Sequence, residues 1–487
     1  MSDASAKPIL WTAEDAAAAT NGQATQPWHA TGVTIDSRRV EPGDLFVAIR
    51  GPNFDGHDFV AQALAQGAAA AMVSRVPAGV AGDAPLLAVE DTLAALADLG
   101  HVARLRGRAR VIGVTGSVGK TGTKEALRHV LGGQGATFAT EGSLNNHWGV
   151  PLSLARLPQD SAFGVFELGM NHAGELGPLS RLVMPDCAII TTVEPAHLEF
   201  FASVEAIADA KAEIFEGMNP NGVAVLNRDN PHFGRLLAAG RTQGLTRIWS
   251  FGAHEDADAR LTEYSLHATC SAVTAVVKGE RLQYCLSLPG KHWVMNSLAV
   301  LLAVRAVGGD LASAARSLST LQPVKGRGTR KRVHLGQGAF TIIDESYNAS
   351  PAAMVAAFEV LSKVDPGAGG RRIAVLGDMR ELGTRADALH AGLATPLRAA
   401  HIDTVYCCGP HMKALWDRLP AAMRGRYAED SAALSALLGS DVRGGDVVLV
   451  KGSAGSRMGL VVEALAGLDR RRDEDEPAPQ AANGQRG

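Results

Sequence analysis

Cysteine is scarce in this sequence, and long apolar runs are missing from it. The cysteines are Cys187, Cys270, Cys285, Cys407 and Cys408. Their odd number and their spacing argue against a disulfide framework and against a zinc site. No uncharged apolar run reaches the length of a membrane span, and the N-terminus lacks a basic start followed by an apolar stretch. We therefore expect a soluble, cytoplasmic protein without membrane insertion.

An excess of basic residues is also missing, since the formal net charge is −3. Nucleic-acid-binding proteins usually carry a basic excess or a basic stripe, so no nucleic-acid partner is expected. The composition, with 46% hydrophobic and 20% charged residues, is that of an ordinary globular protein. A chain of 487 residues is too long for one core and predicts about three domains. The end of the chain, residues 467–487, is predicted to be disordered, because it contains a run of charged residues followed by Pro, Ala, Gln and Gly.

The most informative stretch is Val111–Thr121, where an apolar run breaks into glycines and then meets Lys120 and Thr121. A buried strand, a tight turn and a helix N-terminus in succession point several backbone N–H groups at one spot, which suits a phosphate group. The match to the usual phosphate-loop pattern is incomplete, because Val114 stands where the first glycine is expected. A plain strand-to-helix turn is therefore the alternative interpretation.

The middle of the chain alternates apolar strands with helical stretches, which predicts an α/β domain with a mostly parallel sheet. The predicted strands are Val111–Thr115, Phe163–Leu168, Cys187–Val193 and Gly222–Asn227. Ligands bind at the carboxyl ends of such strands. Glu167 is there a candidate Mg²⁺ ligand and His197 a candidate site residue, with a solvated strand end and a structural histidine as alternatives. Lys211 lies on an amphipathic helix, and its spacing alone favours a surface lysine.

Three further segments allow two interpretations each. Asp36, Ser37 and Arg38 could form a turn with a surface ion pair, or could offer donors to a phosphorylated ligand. Asn296 lies near the start of a helix predicted to end at Ala306, where it could contact a nucleotide or cap the helix. Arg327 lies in a glycine-rich segment that is interpreted as a hinge, and its guanidinium is the cation expected to approach a phosphate group.

Two stretches suggest domain boundaries. The basic residues 104–110 are interpreted as a solvated linker after a short helix from Asp91 to Gly100. From Pro323 the alternating pattern repeats, with strands predicted at Ala339–Asp344, Arg372–Leu376, Val405–Cys408 and Asp446–Val450, and a helix at Met354–Val364. The predicted domains are therefore residues 1–108, 109–322 and 323–466. In the last of them, Tyr347, Asn348 and Ser350 could be an ordinary turn.

Taken in order, these segments resemble the Mur ligase superfamily, and within it the branch that acts on D-alanyl-D-alanine. The resemblance covers the chain from Asp36 to about Met458. Its carriers are Thr115–Thr121, Asn145–Pro151, Glu167–Asn171, Ala196–Glu199, Ala210–Phe215, Asp344–Pro351, Gly377–Gly383 and Val450–Ser453. The phosphate loop is typical of the superfamily, whereas the Tyr-Asn-Ala-Ser-Pro and Gly-Asp-Met segments indicate this branch.

The resemblance implies an ATP-dependent amide ligase. It would phosphorylate the terminal carboxyl group of UDP-N-acetylmuramoyl-tripeptide and join D-alanyl-D-alanine to it, giving the pentapeptide precursor of peptidoglycan. The implied architecture is a smaller α/β N-terminal domain for the UDP-linked peptide, a central ATP-binding domain and a C-terminal Rossmann-like domain. ATP and Mg²⁺ are the implied cofactors. The protein is expected to be a monomer.

The resemblance also implies roles for individual residues. The ATP-binding positions are Thr115, Gly116, Ser117, Val118, Gly119, Lys120, Thr121, Asn296, Arg327 and Asp344. Thr121, Glu167, His197 and Lys211 match metal-binding positions, and Lys211 matches a lysine that the family carries as a carbamate. Lys120, Glu167, His197 and Lys211 are implied as catalytic residues. Substrate contacts fall on Ser37, Arg38, Asn146, Tyr347, Asn348 and Ser350.

Some alternatives remain open at this point. A related amide ligase, such as one that adds the third peptide residue or a folylpolyglutamate synthetase, would share most of these features. An ATP-hydrolysing switch would release ADP without forming an amide. An inactive scaffold is disfavoured because Lys120, Glu167, His197 and Lys211 are all present. Trp293 departs from the family's Gly-x-His-Asn pattern, which puts one contact near the adenine in question.

Overall fold

The structure, a computed structural model, describes residues 7–196 and 198–469. The chain divides into two compact units, Met1–Gln322 and Pro323–Gly487. The predicted boundary at residues 108 and 109 falls inside the first unit and stays a prediction. His197 and most of the predicted tail, residues 470–487, lie outside the described residues. No helix within the described ranges has the length and apolar character that a membrane span requires.

The first unit begins with a small sheet in the order β2-β7-β6-β5-β4, parallel from β4 to β7, and a separate β1-β3 pair. Asp91 accepts hydrogen bonds from the N–H groups of Leu93 and Ala94 and so caps the longest helix of this region, α3. The elements are β1 (Trp11–Thr12), α1 (Ala13–Thr20), β2 (Gln23–Ala24), β3 (His29–Ala30), β4 (Gly32–Thr34), β5 (Asp44–Val47), α2 (Val60–Ala65), β6 (Ala70–Val73), β7 (Leu86–Ala88) and α3 (Thr92–Arg106).

The basic stretch at the end of α3 corrects a prediction. The helix does not end at Gly100 but continues to Arg106. The Arg104 guanidinium is mostly buried and donates to the carbonyls of Val183 and Met184, each at 2.9 Å. Arg106 lies over the Trp11 ring, 3.9 Å from its centroid. Arg104 and Arg106 therefore do not belong to a solvated linker, because arginine stems cover apolar surface while their charged ends find partners. Arg108 and Arg110 are exposed, as predicted for this stretch.

The same unit contains a larger sheet in the order β16-β15-β14-β13-β12-β11-β8-β10-β9. It is parallel from β9 to β14 and antiparallel across β14, β15 and β16. Its strands are β8 (Arg110–Thr115), β9 (Thr137–Ala139), β10 (Phe163–Glu167), β11 (Cys187–Ile190), β12 (Val223–Asn227), β13 (Arg247–Gly252), β14 (Ala259–Leu266), β15 (Ser271–Val277) and β16 (Glu280–Leu286). The helices are α4 (Lys120–Gly132), α5 (Gly149–Ala155), α6 (Leu176–Val183), α7 (Val204–Ala212), α8 (Phe233–Thr242), α9 (Lys291–Ala306) and α10 (Leu311–Ser317).

Apolar cores lie on both faces of this sheet. Helices α4, α9 and α10 cover one face, and α5 to α8 cover the other. Helix α9 contributes a continuous buried run from Ser297 to Val304, since it is enclosed between the sheet and its neighbouring helices. Burial on both faces is what near-continuous apolar strands such as Cys187–Ile190 require.

The second unit repeats the layered arrangement around a sheet in the order β17-β18-β22-β19-β20-β21, in which β17 is antiparallel to β18 and the other pairs are parallel. Its strands are β17 (Thr329–His334), β18 (Ala339–Glu345), β19 (Arg372–Gly377), β20 (Thr404–Cys408), β21 (Arg424–Ala428) and β22 (Val447–Lys451). Its helices are α11 (Pro351–Ser362), α12 (Ala386–Gly392), α13 (Ala394–Ala399), α14 (Met412–Arg418), α15 (Ser431–Leu438) and α16 (Gly459–Ala466). The predicted α/β class with mostly parallel sheets is confirmed.

A core substitution tests the packing of α9. Leu298→Ala removes a fully buried side chain from the core between α9 and the sheet. We expect the free energy of unfolding to fall by about 2–5 kcal/mol, because lost transfer energy adds to the cavity left behind. Urea unfolding followed by circular dichroism measures the loss.

The matched control is Leu105→Ala, which truncates a leucine that is 61% exposed on α3. Its expected change lies within about 0.5 kcal/mol. Equal losses for the two variants would contradict the burial of α9.

Candidate active site

The loop between β8 and α4 has the predicted succession of strand, tight turn and helix. Gly116 and Gly119 have φ angles of 146° and 87°, a region in which side chains are strained. A Cβ atom on Gly116 would also collide with the Thr191 hydroxyl, and one on Gly119 would lie 2.9 Å from Asn296 Nδ2. The first N–H groups of α4 have no intrahelical acceptor, so the loop forms an open cradle for an anion.

The segment that follows β11 holds this loop in place. The Ser117 N–H donates to the Thr192 carbonyl at 2.9 Å, and the Ser117 hydroxyl donates to the Glu194 carbonyl at 3.0 Å. The Thr191 hydroxyl donates to the Val118 carbonyl at 2.6 Å. Sequence reasoning missed Thr191; the available signal was its position directly after the apolar strand Cys187–Ile190.

Lys120 and Lys211 form a pair of nearby cationic groups. The Lys120 ammonium donates to the Gly116 carbonyl at 2.7 Å, across the turn it follows. Lys211 is only 2% exposed, so its interpretation as a surface lysine is wrong. Burial and the charge of Lys120 lower the pKa of Lys211 well below its ordinary value. The Lys211 amine is therefore disposed to lose its proton.

Glu167 ends β10, beside the phosphate loop. It pairs with Val114 in the parallel register of β10 and β8, and it is 1% exposed. Its Oε1 accepts a hydrogen bond of 2.7 Å from Asn145 Nδ2. Its Oε2 is buried and has no hydrogen-bond partner in the described part of the chain. A buried carboxylate oxygen without a partner indicates a missing ligand, and a cation would satisfy it. Asn145 is a second residue whose role the sequence did not indicate.

The residues present fit a Mg²⁺ ion in part. Glu167 and Thr121 offer oxygen atoms, the ligands that Mg²⁺ prefers, and both are buried beside the loop. An unmodified Lys211 offers no such oxygen. In residues 7–196 and 198–469, no three His, Cys, Asp or Glu side chains are arranged as metal ligands. The fourth predicted ligand, His197, lies outside those ranges.

The start of α9 packs against the start of α4. Asn296 lies beside Gly119, and the Trp293 indole lies over Gly122, where a Cβ would be 2.7 Å from the ring. Asn296 is thus brought to the phosphate loop together with the loop residues Thr115 to Thr121. The departure at Trp293 has a physical reason, since an aromatic ring occupies the space that a glycine leaves on the facing helix.

A cavity of about 1280 Å³ lies in the first unit, lined by residues from the ranges 7–62 and 138–158. Three predicted substrate residues, Ser37, Arg38 and Asn146, line it together. Asp36 accepts two hydrogen bonds of 2.8 Å from Arg38, which lower the pKa of Asp36 to about 2. The ion pair predicted for this turn is therefore present, whereas its role toward a phosphorylated ligand stays a prediction. Further lining residues are Arg39, Phe46, Phe54, Phe59, Phe138, Glu141, Ser143, Trp148 and Arg156.

The remaining predicted residues belong to the second unit. Arg327 lies over the Tyr347 ring, 4.2 Å from its centroid, and Asp344 accepts a 3.0 Å hydrogen bond from the Ser346 N–H. Lys451 donates to the Asn348 carbonyl at 3.0 Å, whereas the Ser350 hydroxyl caps α11.

These residues follow or flank the carboxyl ends of β18 and β22. Lys451 and Glu345, joined at 3.1 Å, complete this edge and were not predicted as site residues.

Three family models match the chain in succession. They are the Mur ligase family catalytic domain over residues 29–104, the Mur ligase middle domain over residues 114–304 and the Mur ligase glutamate ligase domain over residues 329–454. The chain belongs to the Mur ligase family. Its three matched segments account for the order of motifs found in the sequence.

Individual Mur ligases resemble most of the chain. UDP-N-acetylmuramoyl-tripeptide--D-alanyl-D-alanine ligase of Escherichia coli (strain K12) is 37% identical over 89% of this chain and 93% of its own length. A crystal structure of MurF from Acinetobacter baumannii is 31% identical, covers 94% of this chain and 99% of its own, and has a TM-score of 0.81. MurF from Thermotoga maritima in complex with ADP is 30% identical, covers 90% and 97%, and has a TM-score of 0.74.

The glycine at the start of α4 provides a test of the cradle. Gly119→Ala places a Cβ beside Asn296 at a positive φ angle. We expect the affinity for ATP to fall about tenfold, since such strain costs about 1–2 kcal/mol. Isothermal titration calorimetry with ATP measures it.

Gly132→Ala is the matched control, because that glycine lies in the same helix with open space around its Cβ position. Its affinity is expected to match the wild type. An unchanged affinity in Gly119→Ala would contradict the cradle.

Proposed function

We propose that this protein is the ATP-dependent ligase that joins D-alanyl-D-alanine to UDP-N-acetylmuramoyl-tripeptide, releasing ADP and phosphate. The product is the pentapeptide precursor of peptidoglycan. The full-length similarity to ligases of this name supports the substrate pair. The observation that carries the chemistry is the phosphate loop with the half-buried Lys120 and the buried Lys211 beside it.

The proposed reaction has two steps. The terminal carboxylate of the tripeptide attacks the γ-phosphorus of ATP, the bond to ADP breaks, and an acyl phosphate forms. The neutral amine of D-alanyl-D-alanine then attacks the acyl carbon, phosphate leaves and the amine gives up a proton. Activation is needed because a carboxylate is a poor electrophile. Phosphoryl transfer depends mainly on positioning and on charge stabilisation.

Residues of this chain are proposed to supply both the positioning and the charge stabilisation. Loop N–H groups and the N-terminus of α4 bind phosphate oxygens, and Lys120, which now donates to the Gly116 carbonyl, exchanges that acceptor for phosphate. Asn296 lies on the other side of Gly119 as a nucleotide contact. In the second unit, Arg327 and Asp344 are the proposed nucleotide contacts, and Tyr347, Asn348 and Ser350 are proposed to receive the dipeptide.

Thr121, Glu167, His197 and a modified Lys211 are the proposed magnesium ligands. Bound Mg²⁺ neutralises phosphate charge and so lowers the repulsion that an incoming carboxylate meets. The buried, unpartnered Oε2 of Glu167 supports this assignment. Asn145 would keep the Glu167 carboxylate oriented through its bond to Oε1.

Lys211 is proposed to react with carbon dioxide. The neutral amine adds to the carbon of CO₂, a nitrogen–carbon bond forms, and a proton is released to water, which leaves an anionic carbamate. Burial next to Lys120 favours the neutral amine that this reaction needs. The carbamate also supplies oxygen ligands and a negative charge beside a cation, so it fits the site better than the ammonium.

The cavity in the first unit is the proposed site of the UDP-linked peptide. Arginines suit phosphate oxygens, and Arg38, Arg39 and Arg156 line it together with the aromatic rings. Ser37 and Asn146 are the proposed polar contacts. We further propose the domain limits 1–108, 109–322 and 323–466, a cytoplasmic location and a monomeric state.

Product formation is the direct test. The protein, ATP with Mg²⁺, UDP-N-acetylmuramoyl-tripeptide and D-alanyl-D-alanine are expected to give the UDP-linked pentapeptide, with one ADP for each product. Mass spectrometry of the products checks it. Omission of the dipeptide is the control. ADP release without a new amide would favour an ATP-hydrolysing switch, and a product formed only with another amino acid would favour a related ligase.

A second test addresses Lys211. In Lys211→Ala, kcat is expected to fall about 100-fold or more, as when a transition-state charge contact is lost. A ¹³C carbamate signal, recorded by NMR with labelled bicarbonate, is expected in the wild type and not in this variant.

Lys278→Ala, which removes a lysine paired with Asp258, is the control and should keep the signal and the rate. A carbamate signal that survives in Lys211→Ala would place the modification elsewhere.

A further inference from the structure

Lys124 is a fully buried charged residue that the proposed reaction does not use. It lies on α4, one turn after Lys120, and its exposure is 0%. Its ammonium donates to the Thr140 carbonyl at 2.7 Å and to the Gly142 carbonyl at 2.9 Å, and it lies 2.7 Å from Glu125 Oε1. Three acceptors for three protons satisfy the ammonium, which is what burial of a lysine requires.

The two carbonyls that accept from Lys124, those of Thr140 and Gly142, belong to the segment from Thr140 to Trp148, which connects β9 to α5. We name it the connecting loop. Glu141 accepts hydrogen bonds from Arg39 at 2.6 Å and from Arg156 at 3.1 Å, and both arginines line the cavity. Asn146 and Ser143 line the same cavity. One side of the connecting loop therefore forms part of the cavity wall.

The other side of the connecting loop faces the phosphate-loop edge of the sheet. Asn145 donates to Glu167 Oε1 at 2.7 Å, and the Asn145 carbonyl accepts from the Gly169 N–H at 2.8 Å. The Thr140 hydroxyl accepts from the Glu167 N–H at 3.3 Å. None of these contacts involves Lys124, so the Glu167 carboxylate keeps its partners when the ammonium of Lys124 is removed.

Charge neutralisation of Glu125 does not explain Lys124. Glu125 also accepts from Arg128 Nε at 2.6 Å, so it keeps a cationic partner without Lys124. What Lys124 alone provides is the tie between α4 and the two carbonyls of the connecting loop. Loss of that tie would leave the carbonyl of the buried Thr140 without its donor and would release the exposed Gly142 from α4.

We propose that Lys124 is a positioning residue, whose ammonium fixes the connecting loop against the phosphate-loop helix and thereby sets the wall of the UDP-peptide cavity. The proposal rests on the proposed function, because it assigns that cavity to the UDP-linked peptide. Lys124 does not touch the reacting atoms. It links the position of the nucleotide-binding helix to the position of the second substrate.

Lys124→Met, which keeps most of the side-chain volume and removes the ammonium, tests the proposal. The KM for UDP-N-acetylmuramoyl-tripeptide is expected to rise about tenfold or more, as when charge-assisted hydrogen bonds are lost. The KM for ATP is expected to stay within about threefold, because the loop glycines and Lys120 are unchanged. Calorimetric titration of the UDP-linked peptide is expected to show the same loss.

Arg128→Met is the matched control. It removes one cationic partner of Glu125 from the same helix, and its side chain is mostly exposed. Both KM values are expected to equal those of the wild type. A purely structural role of Lys124 would reduce the active fraction, and hence the apparent kcat, with both KM values unchanged; this result, or an equal rise in both KM values, would overturn the proposal.

A second variant acts from the loop side in case Lys124→Met does not fold. Gly142 is exposed, has a φ angle of 56°, and its N–H group donates no hydrogen bond within the described ranges. Gly142→Pro forces φ to about −65° and turns the carbonyl away from Lys124. The same split between the two KM values is expected, and unchanged values would overturn the proposal.

Different results would overturn the proposed reaction and the proposed role of Lys124. A wild-type protein that binds the UDP-linked peptide but forms no pentapeptide would overturn the proposed reaction. The dissociation constants of wild type and variant would then still decide the role of Lys124. A wild-type protein that makes the pentapeptide while Lys124→Met retains its affinity would overturn only the positioning role.

Discussion

The concentration of positive charge at the start of α4 is the constraint on which this site depends. Lys120 and Lys124 lie four residues apart, within the first two turns of α4. The first turn contains no acidic residue. Like charges at this spacing repel, and the helix dipole disfavours cations at an N-terminus. The arrangement is therefore unfavourable for the stability of the helix by itself and is suited to receive anions.

Lys120, Lys124 and Lys211 are buried or half-buried, and the positive charge of each is accommodated in a different way. Lys120 donates to the carbonyl of Gly116, an acceptor that it can exchange. Lys124 is fully bonded to fixed acceptors. Burial and the charge of Lys120 lower the pKa of Lys211, which favours the uncharged amine and weakens the repulsion between the two side chains. Lys120 is thus bonded across the turn proposed to receive phosphate, and Lys124 is bonded to the connecting loop.

The sequence was sufficient where local pattern decides structure. The strands that carry the loop and Glu167 are found within a residue or two of their predicted limits, because apolar runs bounded by glycine or polar residues are local signals. The burial of Lys211 was not predictable from spacing, since it depends on the elements that pack over α7. The antiparallel strands β14 to β16 were not predicted either, and neither was the extension of α3 to Arg106, whose arginines find acceptors and a ring far away in sequence.

The cavity could not be predicted from the sequence for the same reason. Ser37, Arg38 and Asn146 were separate candidates in the sequence, and only tertiary packing gives them a common surface.

The junction of α9 and α4 shows why a departure from a family pattern need not weaken a site. Trp293 fills the space over Gly122 by packing, while Asn296, one turn further, keeps a polar group at Gly119. Because Ser297–Val304 of α9 is buried in the core, the indole joins the start of α4 to a well-packed helix of the unit. Trp293 thus supplies an apolar packing contact at the position where the family pattern has a polar side chain.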